Sequence, residues 1–244
     1  MKAIVLAAGY ATRMHPLTLN TAKSLLDISG KLIIERIVDK LAEVGEIEKI
    51  FIITNDKFYL QFVWWLGKYA QKGKVEIVND NTISQETRLG AMGDIDFLIN
   101  EKGIDEDIVV VAGDNLFTMP LKDFVSFGVE KSKPCIGVYD VFLEDMAKNF
   151  GVVKLDENKK IISLQEKPDN PESTLISTTC YFFPRQTILT LKKYISEGMP
   201  KDRLGDFVAW LAGKEEVYGF PFRGKWHDIG SVEEYDKVRK SWED

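Results

Sequence analysis

The sequence predicts an α/β fold, a three-layer sandwich whose central sheet is mostly parallel and carries a small antiparallel extension. Three observations predict it. Strand and helix patterns alternate from Ala3 to Lys131, the order that builds a parallel sheet with helices on both faces. The stretch Asp107–Ala112 (DIVVVA) is apolar without alternation, as a central strand buried on both faces requires. From Pro134 the texture shifts to short, closely spaced strand patterns, which reads as the antiparallel extension.

In chain order, the apolar run Ala3–Leu6 is the first strand. Ile33, Ile34, Ile37, Val38, Leu41 and Val44 recur at helical spacing, and Gly45 is expected to cap that helix. Lys49–Ile53 is a second strand, Tyr59 to Tyr69 an aromatic-rich helix, Lys74–Val78 a third strand and Leu89–Ile99 a helix. Trp64 and Trp65 are expected to split, one in the core and one partly exposed. After Asp107–Ala112 comes a helix over 121–131, then the strand patterns CIGVYDVF, GVVKL, KIISLQE and STTCYFF, with the polar turn DENKK between two of them. Helices return at 185–196 and 204–212, and Ser231 followed by Glu234 is a capping-box pattern opening a last helix over 232–240. There is no internal repeat or low-complexity linker, so one continuous domain is expected.

Composition narrows the function. A net charge of −6 argues against a nucleic-acid partner, which favours a basic face. Two cysteines, Cys135 and Cys180, do not make a disulfide framework and read as reduced thiols of a cytoplasmic protein. No stretch approaches the roughly 20 apolar residues of a membrane span. A soluble, cytoplasmic chain is the expectation.

The chemistry concentrates at the start. Apolar Ala3–Leu6 runs into Ala7, Ala8 and Gly9, then Thr12, Arg13 and Lys23. Small residues let backbone N–H groups approach an anion, and Arg and Lys supply compensating charge. Neither G-x-G-x-x-G nor the G-x-x-x-x-G-K-[ST] loop is present. Asp114 and Asn115 leave the end of the apolar strand 109–111 as the first loop leaves its own, and a carboxylate there suits a divalent ion held against phosphate oxygens. His15 reads as structural, Trp226 as packing, and 105–107 as a solvated loop.

LAAG at 6–9, TR at 12–13, PLT at 16–18, AKSLLDI at 22–28, AGDNLF at 112–117, FGVVKLDENKKI at 150–161, EKP at 166–168 and WHDIGSVEEY at 226–235 follow one another along nearly the whole chain. In that order they resemble the nucleotide-sugar pyrophosphorylases, the sugar-1-phosphate nucleotidyltransferases, and most of all their glucose-1-phosphate thymidylyl/uridylyl group. The resemblance implies a Rossmann-like nucleotidyltransferase fold over 1–244, with a nucleotide-binding part over about 1–130 and a sugar-phosphate-binding part over about 131–230. It implies a Mg²⁺-dependent attack of a sugar 1-phosphate, glucose 1-phosphate first, on the α-phosphorus of a nucleoside triphosphate, dTTP or UTP first.

Roles follow from the same resemblance. Leu6, Ala8, Gly9 and Thr12 would line the nucleotide, Arg13 bind the triphosphate, and Lys23 touch phosphate near the reacting centre. Gln85 and Gly90 would read the base. Asp114 and Asp228 would hold Mg²⁺. Glu166 would meet sugar hydroxyls and Lys167 the sugar phosphate, with Gly151 and Thr179 beside the sugar. A homo-oligomer is compatible with the family, while neither membrane nor nucleic acid is an expected partner.

Three positions depart from the family's usual pattern. Ala11 replaces a glycine, Ala22 a proline, and Thr179 a glycine near the sugar. The rival readings are a cytidylyltransferase acting on phosphocholine or inositol phosphate, and a catalytically silent nucleotide-binding regulatory subunit.

Overall fold

The structure, a computed structural model, describes residues 1–70 and 72–242. The first half comprises β1 (Lys2–Leu6), the small hairpin β2–β3 (Asp27–Ile28 and Lys31–Leu32), α1 (Ile33–Ala42), β4 (Lys49–Thr54), α2 (Asp56–Lys68), β5 (Val75–Asn79) and α3 (Ala91–Lys102). It continues through β6 (Ile108–Ala112), β7 (Asn115–Phe117) and α4 (Leu121–Lys131). The second half adds β8 (Cys135–Asp140), α5 (Glu144–Ala147), β9 (Gly151–Leu155), β10 (Ile161–Glu166), β11 (Leu175–Phe183), α6 (Arg185–Ser196) and α7 (Leu204–Ala212). The edge strand β12 (Tyr218–Phe222), β13 (Trp226–Asp228) and α8 (Val232–Ser241) complete it.

The main sheet runs β10-β9-β11-β6-β1-β4-β5, with β8 joined to β11 and β12 to β8. Strands β6, β1, β4 and β5 are parallel, with Val5 level with both Val111 and Ile52. From β11 outward β6–β11, β11–β9, β9–β10 and β11–β8 pair antiparallel, the expected extension, while the edge strand β12 runs parallel to β8. Strand β1 alternates its side chains between two cores: Ala3 and Val5 enter one with α1, α2, α4 and α8, and Ile4 the other with α3, α6 and α7. Both faces are covered, which is why β1 and β6 carry almost nothing but apolar residues.

The chain leaves β1 for β4 and β5 on one side and returns to β6 on the other. The carboxyl ends of β1 and β6 therefore flank the switch point where open α/β sheets bind ligands. A two-stranded ribbon closes that end: β13 pairs antiparallel with β7, setting Asp228 opposite Asn115.

Several expected boundaries shift for physical reasons. Gly45 is not the cap of α1, which ends at Ala42 and is capped by Glu43, whose N–H bonds the Asp39 carbonyl at 3.1 Å. Helix α2 starts earlier than Tyr59 because Asn55 caps it, its side chain accepting from Phe58 N–H at 3.1 Å. Helix α3 starts later than Leu89 because Gly90 takes φ +78°, outside the helical region. Gly90 also packs so closely on the 201–202 backbone that an added Cβ would lie 2.7 Å from the Lys201 carbonyl oxygen. Strand β12 tolerates Pro221 because, among the described residues, β8 is the only strand that pairs with it.

Trp65 is buried and Trp64 exposed, as expected. Cys135 and Cys180 are both buried and unpaired. Among the described residues, no helix is long and apolar enough to cross a membrane.

Candidate active site

The loop after β1 is held from behind. Asn55 Nδ2 donates to the Ala8 carbonyl at 2.8 Å and Thr54 Oγ1 to the Ala7 carbonyl at 3.2 Å. Ala11 sits in the left-handed region at φ 48°, ψ 40°, and its carbonyl accepts from Thr18 Oγ1 at 2.7 Å and Met14 N–H at 3.0 Å. The bend turns the chain into a 3-10 turn (Thr12–Met14) that carries Arg13 into solvent. The N–H groups of Gly9, Tyr10, Ala11 and Thr12 have no protein acceptor among the described residues, and neither does the Arg13 guanidinium. Unpaired amides beside a cation are suited to wrap an anion.

Lys23, in the next 3-10 turn (Lys23–Leu25), places its ammonium 2.5 Å from the Asp114 carboxylate at the end of β6. Asn115 then joins two acids. Its Nδ2 donates to Asp114 Oδ1 at 2.9 Å and reaches Asp228 Oδ1 at 3.4 Å, while its Oδ1 accepts from Trp226 Nε1 at 3.0 Å. Trp226 therefore does more than pack. It fixes the orientation of the amide, and Phe150 holds its ring edge-on at 5.2 Å. Burial, and then the charge of Asp114, raise the pKa of Asp228 above the usual carboxylate range; Lys23, Arg13 and Lys167 pull the other way. Behind it, Ser231 caps α8 by accepting from Glu234 N–H at 3.1 Å, and the Glu234 carboxylate meets His227 Nδ1 at 2.8 Å.

Two cavities meet at this pair. One, of about 240 Å³, is lined by Leu6, Gly9, Thr12, Arg13, Lys23, Gln85 and Asp114. The other, of about 620 Å³, is lined by Arg13, Tyr139, Phe150, Lys167, Trp226 and Asp228, among others. Arg13 lines both, and each cavity receives one of the two carboxylates that Asn115 links. A third, of about 200 Å³, adjoins the first through Leu6 and Gly9 and is lined also by Ala8, Gly90, Asp80 and Asp94.

The expected nucleotide residues Leu6, Ala8, Gly9, Thr12, Arg13, Gln85, Gly90 and Asp114 thus gather around two adjoining cavities. Asp228 and Lys167 gather at the larger one. Gly151, Glu166 and Thr179 do not line it. Glu166 pairs in register with Gly151 across β9 and β10, and its carboxylate lies 3.7 Å from Arg203. Its pKa is raised by burial, against the pull of Arg203 and Lys167. Thr179 falls within the register shift of β11 between Ser177 and Tyr181.

Sequence reasoning gave no role to Asn115, although it stands in the AGDNLF stretch. It also passed over Asp80 and Asp94, whose separation along the chain hides their meeting. Among the described residues no three acidic, histidine or cysteine side chains cluster as a metal cage. The Asp114–Asp228 pair still fits Mg²⁺, which takes one or two protein carboxylates and completes its shell with phosphate oxygens and water.

Comparison with known proteins gives the same direction. A family model described as nucleotidyl transferase matches residues 2–244. The chain is 30% identical over 235 residues to the bifunctional protein GlmU of Methanocaldococcus jannaschii, covering 94% of this chain and 51% of that protein. It is 28% identical to a putative mannose-1-phosphate guanyltransferase of Sulfolobus acidocaldarius, covering 98% of this chain and 62% of the relative. The chain thus spans about half to three-fifths of the length of these relatives. Among solved structures, a putative glucose-1-phosphate thymidylyltransferase from Bacillus anthracis superposes with a TM-score of 0.84 at 24% identity, covering 98% of this chain and 94% of that one. That likeness concerns the fold.

Proposed function

The chain belongs to the nucleotidyl transferase family, and on that footing we propose that it transfers a nucleotidyl group from a nucleoside triphosphate to a sugar 1-phosphate, releasing pyrophosphate. The observation that carries the reading is the bridge between cavities: Asp114 faces one, Asp228 the other, and Asn115 links them beside Lys23 and Arg13.

In this reading the triphosphate lies in the smaller cavity, its oxygens on the free amides of 9–12 and on Arg13. The acceptor lies in the larger one with its phosphate on Lys167. A phosphate oxygen of the acceptor attacks the α-phosphorus in line, and the pyrophosphate leaves toward Arg13. Two anions must approach, so the barrier is repulsion and positioning, and the cations Arg13, Lys23 and Lys167 lower it. Asp114 and Asp228 would hold Mg²⁺, which supplies charge neutralisation on the phosphate oxygens. No general base is needed, because a phosphate monoester is largely ionised at neutral pH. Gly151, Glu166 and Thr179 lie outside the lining of the larger cavity, so sugar hydroxyls reach them only if the acceptor extends past Lys167.

The resemblance makes glucose 1-phosphate with dTTP or UTP the reference pair. The test is Mg²⁺-dependent pyrophosphate release across dTTP, UTP, CTP, GTP and ATP, crossed with glucose, mannose, galactose and N-acetylglucosamine 1-phosphates, phosphocholine and inositol phosphate. Release with a sugar 1-phosphate supports the proposal. Release only with CTP and a non-sugar phosphate moves the activity to the first rival. An empty grid with nucleotide still bound leaves the silent regulatory subunit.

A further inference from the structure

Arg88 stands where three cavities meet. It lines the 240 Å³ cavity of the first loop, the 200 Å³ cavity beside it, and a further one of about 390 Å³ that Gln85, Glu86, Leu89, Gly90 and Asp202 also line. Among the described residues no other lines all three. Lys23 and Asp114 line the first and neither of the others.

The guanidinium is held from one side. Nε and Nη2 donate to Asp202 Oδ1 at 3.1 and 2.9 Å. Asp202 is anchored in turn: its carbonyl and that of Lys201 accept from the N–H groups of Ala91 and Met92 at 3.2 and 2.9 Å, and Gly90 packs on the same backbone. A guanidinium is a rigid fork of five N–H donors. Asp202 takes two of them, and the Gln85 carbonyl, 3.5 Å from Nη1 and at the limit of a hydrogen bond, takes at most one. The Nη1–Nη2 end therefore keeps a pair of N–H donors with no acceptor among the described residues, on a side chain that is 40% exposed.

We propose that Arg88 reads the base of the triphosphate, favouring one whose edge carries a keto oxygen (guanine, uracil or thymine) over adenine and cytosine, with Asp202 as the residue that positions it. Two parallel N–H groups match the O6 and N7 acceptors of guanine, and one of them meets the O4 of uracil or thymine. Adenine and cytosine put an exocyclic amine at that place, which sets N–H against N–H. The inference rests on the triphosphate reading of the 240 Å³ cavity. With phosphates on the loop after β1 and the reacting phosphorus near Lys23 and Asp114, the base extends toward the two cavities that Lys23 and Asp114 do not line, and Arg88 is common to both.

The test is equilibrium binding with Mg²⁺ and no acceptor, for GTP, UTP, dTTP, ATP, CTP and inorganic tripolyphosphate. Wild type is expected to bind at least one of GTP, UTP and dTTP about tenfold or more tighter than both ATP and CTP, the scale of one charge-assisted hydrogen bond made or opposed. Arg88→Ala should erase most of that margin while tripolyphosphate binding stays as in wild type. Asp202→Asn, which loosens the fork but leaves its charge, should narrow the margin less. ATP or CTP binding as tightly as the best keto triphosphate overturns the proposal without any variant. A margin that survives Arg88→Ala also overturns it, and would leave the Arg88–Asp202 pair as a tie between α3 and the segment before α7. Tripolyphosphate binding that falls as far as nucleotide binding in Arg88→Ala overturns it too, by making Arg88 a phosphate ligand. Keto-selective binding with no pyrophosphate release from any acceptor would keep the base reading and remove the transferase reading; release with ATP or CTP alone would do the reverse.

Discussion

Lys23 reaches the carboxylate of Asp114 at 2.5 Å, tying the turn that follows the first loop to the end of β6. The pair is partly exposed, so its ion pairing contributes little to stability on its own. Its position matters more, because the carboxylate lies between Lys23 and the amide of Asn115 and is held ready for a cation. Asp114→Asn keeps the shape and removes the charge. Turnover should fall by about a thousandfold or more, the scale of a lost charge-stabilising group, while the thermal midpoint and circular dichroism stay near wild type. Near-normal turnover would take Asp114 out of the reacting centre.

Arg13 lines both cavities. Arg13→Ala should therefore raise KM for both substrates and lower kcat, by about a hundredfold in kcat/KM, with partial rescue by Arg13→Lys. A variant that changes KM for one substrate alone would confine Arg13 to one cavity.

Ala11 holds φ 48° with a methyl group where the backbone favours glycine. Ala11→Gly should relieve about 1 kcal/mol of that strain, partly offset by the greater freedom of glycine in the unfolded chain. The thermal midpoint should rise by up to about 2–4 °C. A fall in the midpoint would mean that the methyl group contributes packing that outweighs its conformational cost.

Asp94 gives stability a pH dependence. Its carboxyl is raised to about 8 in the folded chain and lies near 3.9 in an unfolded one. The folded protein thus holds a proton that the unfolded chain has released, and stability falls as pH rises from about 4 to 8. Asp80 is the charge that faces it most closely, with Asp56 acting on Asp80 in turn and the Arg88–Asp202 pair lining the same cavity. Asp94→Asn should flatten the decline, read as urea midpoints at pH 5, 6.5 and 8. Parallel curves for the two proteins would show that Asp94 does not titrate in that range.

Much of the fold was legible in the sequence. Buried strands announce themselves by unbroken apolar runs, as in β6, and helices α4, α6 and α7 by repeating apolar positions between clear breaks. The first loop was legible because its small residues and cations are contiguous. Strands β7 and β13 were not, since three residues carry no period and their pairing depends on partners such as Trp226 and Asn115, 111 residues apart. The same limit hid Asp80 and Asp94. Each reads as a polar residue near an element end, and only the fold, which brings the residue after β5 beside the first turn of α3, turns them into one group.

The ribbon of β7 and β13 also sets an order of assembly during synthesis. Every residue lining the 240 Å³ cavity lies at or before Asp114, whereas Asp228 comes 113 residues after Asn115. At ribosomal rates of about 5–20 residues per second, that gap is about 6–23 s. Until then a nascent chain carries the loop after β1 and Asp114 but lacks Asp228, so the link between the two cavities forms only when synthesis is nearly complete.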